Sequence, residues 1–313
     1  FERHFKMRVM ITGCAGFIGS HVLEAFLKKG YDVVGVDCES YAANKNFVES
    51  IDADNFTYLK QRIGYLTVKD VHDIQLVVNL AAETHVDNSI KNTLPFVQTN
   101  LVETEHLIGL CCEHKIPLLH FSTDEVYGQA LEGTYDETQK LDPRNPYSAT
   151  KAAADHMISA YQNTYGMDAT VIRPSNNFGP RQNDEKFIPT IVRSLKKGAM
   201  IPIYGKGEQI REWTYVKHTA NAALALAEKM LRGECLNEVY NFSTNIEMKN
   251  IDLVEKICKL AGHNLSIEFV KDRPGHDHRY SISCEKMSSI GIVPDADIER
   301  ELRETVLSLK DEK

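Results

Sequence analysis

Short apolar runs alternate with amphipathic stretches along the first half of the chain, and this alternation predicts a layered architecture. Arg8 to Thr12 is a brief apolar run leading into a glycine-rich turn. An amphipathic stretch, Ser20 to Lys29, follows and stops at Gly30, a residue suited to closing a helix in the left-handed conformation. Tyr31 to Val36 is β-branched and apolar, and it ends at Asp37. Strand, turn, helix, strand is the first unit of a parallel α/β sheet. The rhythm recurs, with strands predicted over Gln75 to Ala82, Pro117 to Ser122 and Asp168 to Arg173. Helices are predicted over Phe96 to His114 and Tyr147 to Tyr165, the second ended by Gly166. Near-continuous apolar strands need cover on both faces, so a Rossmann-type doubly wound parallel sheet is expected.

The texture changes after Pro174. Asn176, Asn177, Gly179, Pro180, Pro189, Gly198, Pro202, Gly205 and Gly207 interrupt the alternation, and a polar stretch runs from Lys271 to Arg279. This predicts a smaller, loop-rich C-terminal lobe suited to holding a substrate. A helical pattern from Tyr215 to Lys229 returns to the larger domain. The expected division is therefore 7–174 with 212–242, against 175–211 with 243–313. Residues 1–6 precede a Met and read as a short extension.

Charge and composition narrow the function. Net charge is -8 and no Lys/Arg-rich run occurs, which argues against a nucleic-acid groove. The longest apolar runs, such as Leu76 to Ala82, are too short to span a bilayer, and no secretory signal opens the chain. Seven cysteines form no C-x-x-C and no Cys/His ligand set, so no metal is expected and a reducing, cytoplasmic setting fits.

Two motifs carry chemistry. Gly13, Gly16 and Gly19 form a G-x-x-G-x-x-G turn between the first strand and helix. Such a turn lets a pyrophosphate approach backbone amides at a helix N-terminus. Asp37, closing the next strand, suits the ribose hydroxyls of NAD and repels the extra phosphate of NADP. Tyr147 and Lys151 stand four apart at a helix start, so both can face one ligand. A tyrosine normally titrates near about 10, and a nearby ammonium plus an oxidised nicotinamide would favour the phenolate. Tyr147 is thus a candidate base for removing a hydroxyl proton while hydride leaves the same carbon.

With these motifs in place, the chain resembles the extended short-chain dehydrogenase/reductases that act on nucleotide sugars, from Val9 to about Val306. Within that family it is most similar to the dTDP-glucose 4,6-dehydratases. The resemblance rests on 81–87 (Ala-Ala-Glu-Thr-His-Val-Asp), 122–128 (Ser-Thr-Asp-Glu-Val-Tyr-Gly), 175–180 (Ser-Asn-Asn-Phe-Gly-Pro) and 272–277 (Asp-Arg-Pro-Gly-His-Asp). It implies NAD as cofactor and Thr123, Asp124, Glu125, Tyr147 and Lys151 as the catalytic set. Asp124 would be the acid that protonates the hydroxyl on carbon 6. Glu125 would be the base that removes the proton on carbon 5, and Thr123 would bond near the oxygen on carbon 4. Two adjacent carboxyls can divide such work if their environments separate their proton affinities. Epimerases need no such pair, and related decarboxylases resemble S-T-S-E-V-Y-G here, which lacks the acid.

The resemblance extends the cofactor contacts to Phe17, Ile18, Leu80, Ala81, Ala82, Thr99, Arg173 and Asn177. On the substrate side it implies Thr84, Asn176, Lys186, Phe187, Pro202, Tyr204, Arg211, Asn250, Arg273 and His276, with the two arginines suited to phosphate. A homodimer through the helices at 96–114 and 147–165 is implied as well. The chain departs from the pattern at Ile63 and Gly64, where relatives carry an Asp-Ile pair that holds adenine. The segment Tyr65 to Ile74 is short, and Asn88 and His278 stand where arginine is common. The remaining alternatives are a dehydratase or epimerase with another carrier or hexose, and a regulatory protein that binds NAD without turnover.

Overall fold

The computed structural model describes residues 7–311; the extension at 1–6 and the last two residues of the expected second lobe lie outside the described residues. Seven parallel strands form the central sheet. They are β1 (Arg8–Thr12), β2 (Asp32–Asp37), β3 (Phe56–Lys60), β4 (Leu76–Asn79), β5 (Leu118–Phe121), β6 (Ala169–Pro174) and, later in the chain, β10 (Val239–Phe242). Their order is β3-β2-β1-β4-β5-β6-β10. The chain winds outward in both directions from β1 and β4, so the crevice beyond their carboxyl ends is where such sheets bind ligands. Val9, Ile11, Val33 and Leu76 pack under one helical layer, while Met10, Val34, Val77 and Leu118 pack under the other. That two-sided burial is why these strands read as continuous apolar runs.

The predicted stops hold. Gly30 and Gly166 end the helices Phe17–Lys29 and Pro146–Tyr165 in the left-handed region. The helix Val216–Leu231 contributes Ala220, Ala223 and Leu226 to the same cluster as Val22 and Phe26 of Phe17–Lys29. β10 then completes the sheet beside β6.

Two differences are informative. The stretch expected as one helix over 96–114 contains a wide π turn at Gln98–Glu103 before helix resumes at Thr104. Polar Thr99, Asn100 and Glu103 interrupt the apolar stripe there. Asn100 is nearly fully buried and bonds the backbone of Glu83 and the hydroxyl of Thr150. A π turn re-aims side chains at such a place.

The region after Pro174 is also more regular than its Gly/Pro texture predicts. β7 (Asn176–Phe178), β8 (Ile201–Tyr204), β9 (Ile210–Tyr215), β11 (Glu247–Lys249) and β12 (Ile267–Val270) form a three-stranded sheet, β11-β9-β7, and a β12-β8 pair. These pack with the helices Phe187–Lys197, Asn250–Ala261 and Ile298–Asp311 around Phe178, Ile191, Trp213, Leu253 and Leu302. Gly198, Gly205 and Gly207 turn the chain between elements while Pro189 and Pro202 lie within them, so the strands are short and their periodicity weak.

The glycine turn is held by close approach. A Cβ on Gly19 would lie 1.9 Å from the Gly13 carbonyl oxygen. Gly19→Ala should therefore cost about 3 kcal/mol or more by overpacking. Gly30→Ala, where nothing lies within 4 Å, should cost only the left-handed strain of about 1–2 kcal/mol. Chemical denaturation of both variants checks this; equal losses would contradict the close approach.

Candidate active site

One cavity of about 520 Å³ runs from the glycine turn, past the carboxyl ends of β1, β4 and β5, into the second lobe. At one end Gly16 caps the helix Phe17–Lys29 with no side-chain bond and no acidic residue in the first turn. The free amides and dipole of that helix end therefore face the cavity, together with Gly13, Phe17 and Ile18. A Cβ on Gly13 would meet Ala81 N at 2.7 Å, so only glycine lets the turn nest against the end of β4. Asp37 accepts the Ala15 amide at 2.9 Å and the Glu39 amide at 2.8 Å, and burial raises its pKa. Each oxygen keeps a further acceptor site for a ribose hydroxyl. This uncapped cradle and its acceptor fit a dinucleotide.

The catalytic candidates follow β5. Thr123 caps a single 3-10 turn, Asp124–Tyr127, by accepting the Glu125 amide at 3.3 Å. Its hydroxyl also donates to Asp124 Oδ1 at 3.2 Å. Asp124 is 3% exposed, and its Oδ2 has no hydrogen-bond partner. Burial first, then the charges of Glu125 and Glu212, hold its carboxyl well above the usual range. Glu125 is half-buried and accepts from Asn145 Nδ2 at 3.1 Å. Asn145 is also the N-cap of Pro146–Tyr165, so one residue fixes both the base candidate and the start of the tyrosine helix. Burial and the nearby Glu125 charge raise the Tyr147 pKa, opposed by a hydrogen bond with Thr123. The protein alone thus favours the neutral phenol, in contrast to the phenolate expected from a nearby ammonium. Burial is the reason, and it also lowers the Lys151 pKa to about 8.

Every other expected site residue lines the cavity except three. Gly19 lies behind the turn, against Gly13. Lys151 is 3% exposed, beneath the wall, and donates to the Phe121 carbonyl at 2.6 Å. Arg173, expected on the cofactor side, lies back from the cavity. Its buried guanidinium pairs with Asp155 at 2.9 Å and donates to the Tyr127 hydroxyl at 2.7 Å. A buried cation needs such partners, and here they anchor the turn that carries Asp124 and Glu125.

Leu80, Ala81, Ala82, Thr84, Thr99, Asn176 and Asn177 line the middle of the cavity, and Lys186, Phe187, Pro202, Tyr204, Asn250, Arg273 and His276 its second-lobe end. Lys186 donates to the Thr84 carbonyl at 3.1 Å, and Arg273 lies 3.6 Å from Asp87. Arg211 is 5% exposed and donates only to the carbonyls of Ile210, Asp277 and His278. A buried guanidinium with carbonyl partners and no carboxylate leaves positive charge for an anion. Burial lowers the His276 pKa to about 4, so it is neutral near pH 7.

Several wall residues were not singled out from the sequence. Trp213 stacks near Phe187 and has a buried, unpartnered Nε1, as do the side-chain oxygens of Asn176 and Asn177. Its only mark is that the chain has a single tryptophan. At the adenosine end Arg62 donates to Glu103 at 2.7 Å and to Thr99 at 2.9 Å, beside buried Ile63. Glu103 also explains Gly64, whose Cβ would meet it at 2.8 Å.

A dinucleotide cradle joined to an acid, a tyrosine and a cation-lined lobe defines an extended short-chain dehydrogenase/reductase. The family model described as GDP-mannose 4,6 dehydratase matches residues 10–305, and the chain belongs to that family. It is 40% identical to the low-salt glycan biosynthesis protein Agl12 of Haloferax volcanii, over 92% of this chain and 94% of that one. It is 37% identical to a dTDP-glucose 4,6-dehydratase of Escherichia coli, over 96% of this chain and 92% of the relative. The crystal structure of DesIV, a dTDP-glucose 4,6-dehydratase from Streptomyces venezuelae with NAD and TYD bound, superposes with a TM-score of 0.93 at 33% identity and covers 97% of both chains.

The raised Asp124 carboxyl sets a stability test. A carboxyl whose folded pKa exceeds its unfolded value of about 4 favours folding below that value, and this contribution is lost as pH rises through the folded pKa. Asp124→Asn, which copies the neutral form, should match or exceed the parent in stability at about pH 7, with the gap closing near about pH 3. Denaturant melts at both pH values check this; a large loss at neutral pH would contradict a neutral Asp124.

Proposed function

We infer that the protein is an NAD-dependent nucleotide-sugar 4,6-dehydratase, a hydro-lyase yielding a 4-keto-6-deoxy sugar. The observation that carries this reading is buried Asp124, with its Oδ2 unpartnered, beside Glu125 and Tyr147 in one cavity. NAD, when bound, would supply the hydride acceptor and donor for carbons 4 and 6, and Gly13, Gly16 and Asp37 would hold it.

The chain's own residues supply the proton work. Thr123 and Tyr147 hold the hydroxyl on carbon 4, and Tyr147, as the phenolate that a bound oxidised nicotinamide would favour, receives its proton. Once carbon 4 is a ketone, the proton on carbon 5 is acidified and Glu125 removes it. Asp124, held neutral, gives its proton to the hydroxyl on carbon 6, which leaves as water. An ionised acid could not donate, so the burial of Asp124 is part of the chemistry. Arg211, Lys186 and Arg273 meet the diphosphate, and Trp213 with Phe187 walls the second-lobe end.

The carrier is read as dTDP, with UDP as the alternative, and the hexose as glucose. The reading divides the chain into 7–174 with 212–242 for NAD and 175–211 with 243–313 for substrate, with β9 (Ile210–Tyr215) spanning the boundary so that Trp213 and Tyr215 pack in the second-lobe core. It includes a cytoplasmic homodimer. Exposed Leu94, Val102 and Tyr165, on or beside the two implied interface helices, support the pairing. Among the described residues no helix is long and apolar enough to cross a membrane, and the seven thiols are free.

Mass spectrometry of dTDP-glucose and UDP-glucose incubated with the NAD-loaded protein tests this. Loss of one water without accumulating NADH is expected, and mass-neutral conversion would indicate epimerisation instead. Bound NAD with no turnover of any sugar would leave a regulatory protein. Glu125→Gln should lower dehydration by about 10²–10⁴-fold while oxidation at carbon 4 still occurs. Undiminished dehydration would remove Glu125 from its role.

A further inference from the structure

The segment 180–186 joins β7 to the helix Phe187–Lys197 and is itself neither helix nor strand. Gln182, Asn183, Glu185 and Lys186 line the cavity. The segment is tied at both ends to elements around the seven-stranded sheet. At its start the Pro180 carbonyl accepts from His21 Nε2 at 2.9 Å. Arg181 donates to Ser20 Oγ at 3.0 Å and to Glu24 at 2.9 Å. All three partners belong to the helix Phe17–Lys29, whose N-terminus forms the dinucleotide cradle. At the other end Lys186 holds the Thr84 carbonyl beyond β4, and Glu185 accepts the Tyr41 hydroxyl at 3.0 Å. The segment therefore bridges the cavity from the glycine-turn helix to the loop after β4.

Its first tie is strained. Arg181 has a φ of +63°, a left-handed conformation that a residue with a Cβ adopts only where its surroundings over-determine it. Here the guanidinium makes two bonds to one helix and also lies 4.2 Å over the Phe47 ring. Phe47 belongs to the short helix Lys45–Glu49, and the Asn44 amide at its cap donates to the Ala15 carbonyl inside the glycine turn at 2.7 Å. The anchor thus reaches the cradle from two sides. Next in the segment, Gln182 is 7% exposed and donates to the Asn177 carbonyl at 2.9 Å, which fixes its amide. Its Oε1 has no partner, and a buried acceptor in a cavity wall is left for a bound molecule.

We propose that 180–186 is a strap that retains the dinucleotide through the reaction, with Arg181 as its anchor and the Tyr41–Glu185 bond as its latch. These are positioning residues, acting on how long the cofactor stays rather than on the reacting atoms. An internal redox cycle fails if the reduced cofactor exchanges before the hydride is returned, so slow release is a requirement of that chemistry. The purpose of the strap rests on the dehydratase reading, while retention itself needs only a bound NAD. The latch contributes little to holding the lobes together. Tyr41 is 58% exposed, and exposed polar pairs are weak contributors to folding. The second lobe has its own core around Phe178, Trp213 and Leu253.

Exchange of ¹⁴C-labelled NAD, bound to the full chain, against excess unlabelled NAD tests the strap with no sugar present. Tyr41→Phe removes the latch hydroxyl from an exposed ring. Arg181→Gly removes the anchor and supplies a residue that takes a positive φ freely, so the backbone path is preserved. Release should be about threefold faster for Tyr41→Phe and about tenfold faster for Arg181→Gly, the difference between one exposed bond and a charged residue with several partners. The melting temperatures of the NAD-free variants should stay close to that of the parent. Unchanged release in both variants would overturn the strap. Faster release that only follows an equal loss of stability in the NAD-free chain would overturn it too, by marking the contacts as structural. The result is independent of whether the protein turns over a nucleotide sugar.

Discussion

Burial of Asp124 at the end of β5 is the constraint on which the rest of the site depends. A carboxyl in that position is pushed toward its neutral form by burial first and then by the charges of Glu125 and Glu212, and one of its oxygens has no partner. Everything around it maintains that state. Thr123 fixes the turn, Asn145 holds Glu125 at its side, and Arg173 with Asp155 and Tyr127 braces the turn from below. Two identical functional groups thereby occupy different environments, which is how one short segment can supply both an acid and a base.

Positive charge is arranged with equal economy. Arg173 is neutralised by Asp155 and is structural, whereas Arg211 is held by carbonyls alone and stacks over Tyr280 at 4.3 Å. Both are buried arginines near the cavity, and only their partners distinguish their roles. A guanidinium without a carboxylate is the one left with charge for an anion.

Much of this was legible in the sequence because its physics is local. Apolar strands, Gly30 and Gly166 as helix ends, and the glycine turn each depend on a few adjacent residues. Asp124, Glu125, Tyr147 and the second-lobe cations were legible through motif resemblance, and all of them line the cavity. What was not legible depends on distant partners. The π turn at Gln98–Glu103, the retreat of Arg173 and the raised Tyr147 phenol depend on residues elsewhere in the fold. Short strands such as β8 and β12 were hidden for a related reason. With four residues each, and Pro202 within β8, they show too little periodicity to stand out.

The central claim is that a neutral acid and a neighbouring base complete an internal redox cycle on one sugar. It is tested most directly by following deuterium from carbon 4 of the nucleotide sugar with unlabelled NAD bound, in ordinary water. The account predicts that the label reaches carbon 6 of a product that has lost water, while carbon 5 takes its hydrogen from solvent. Label retained at carbon 4, or lost to free cofactor, would contradict it.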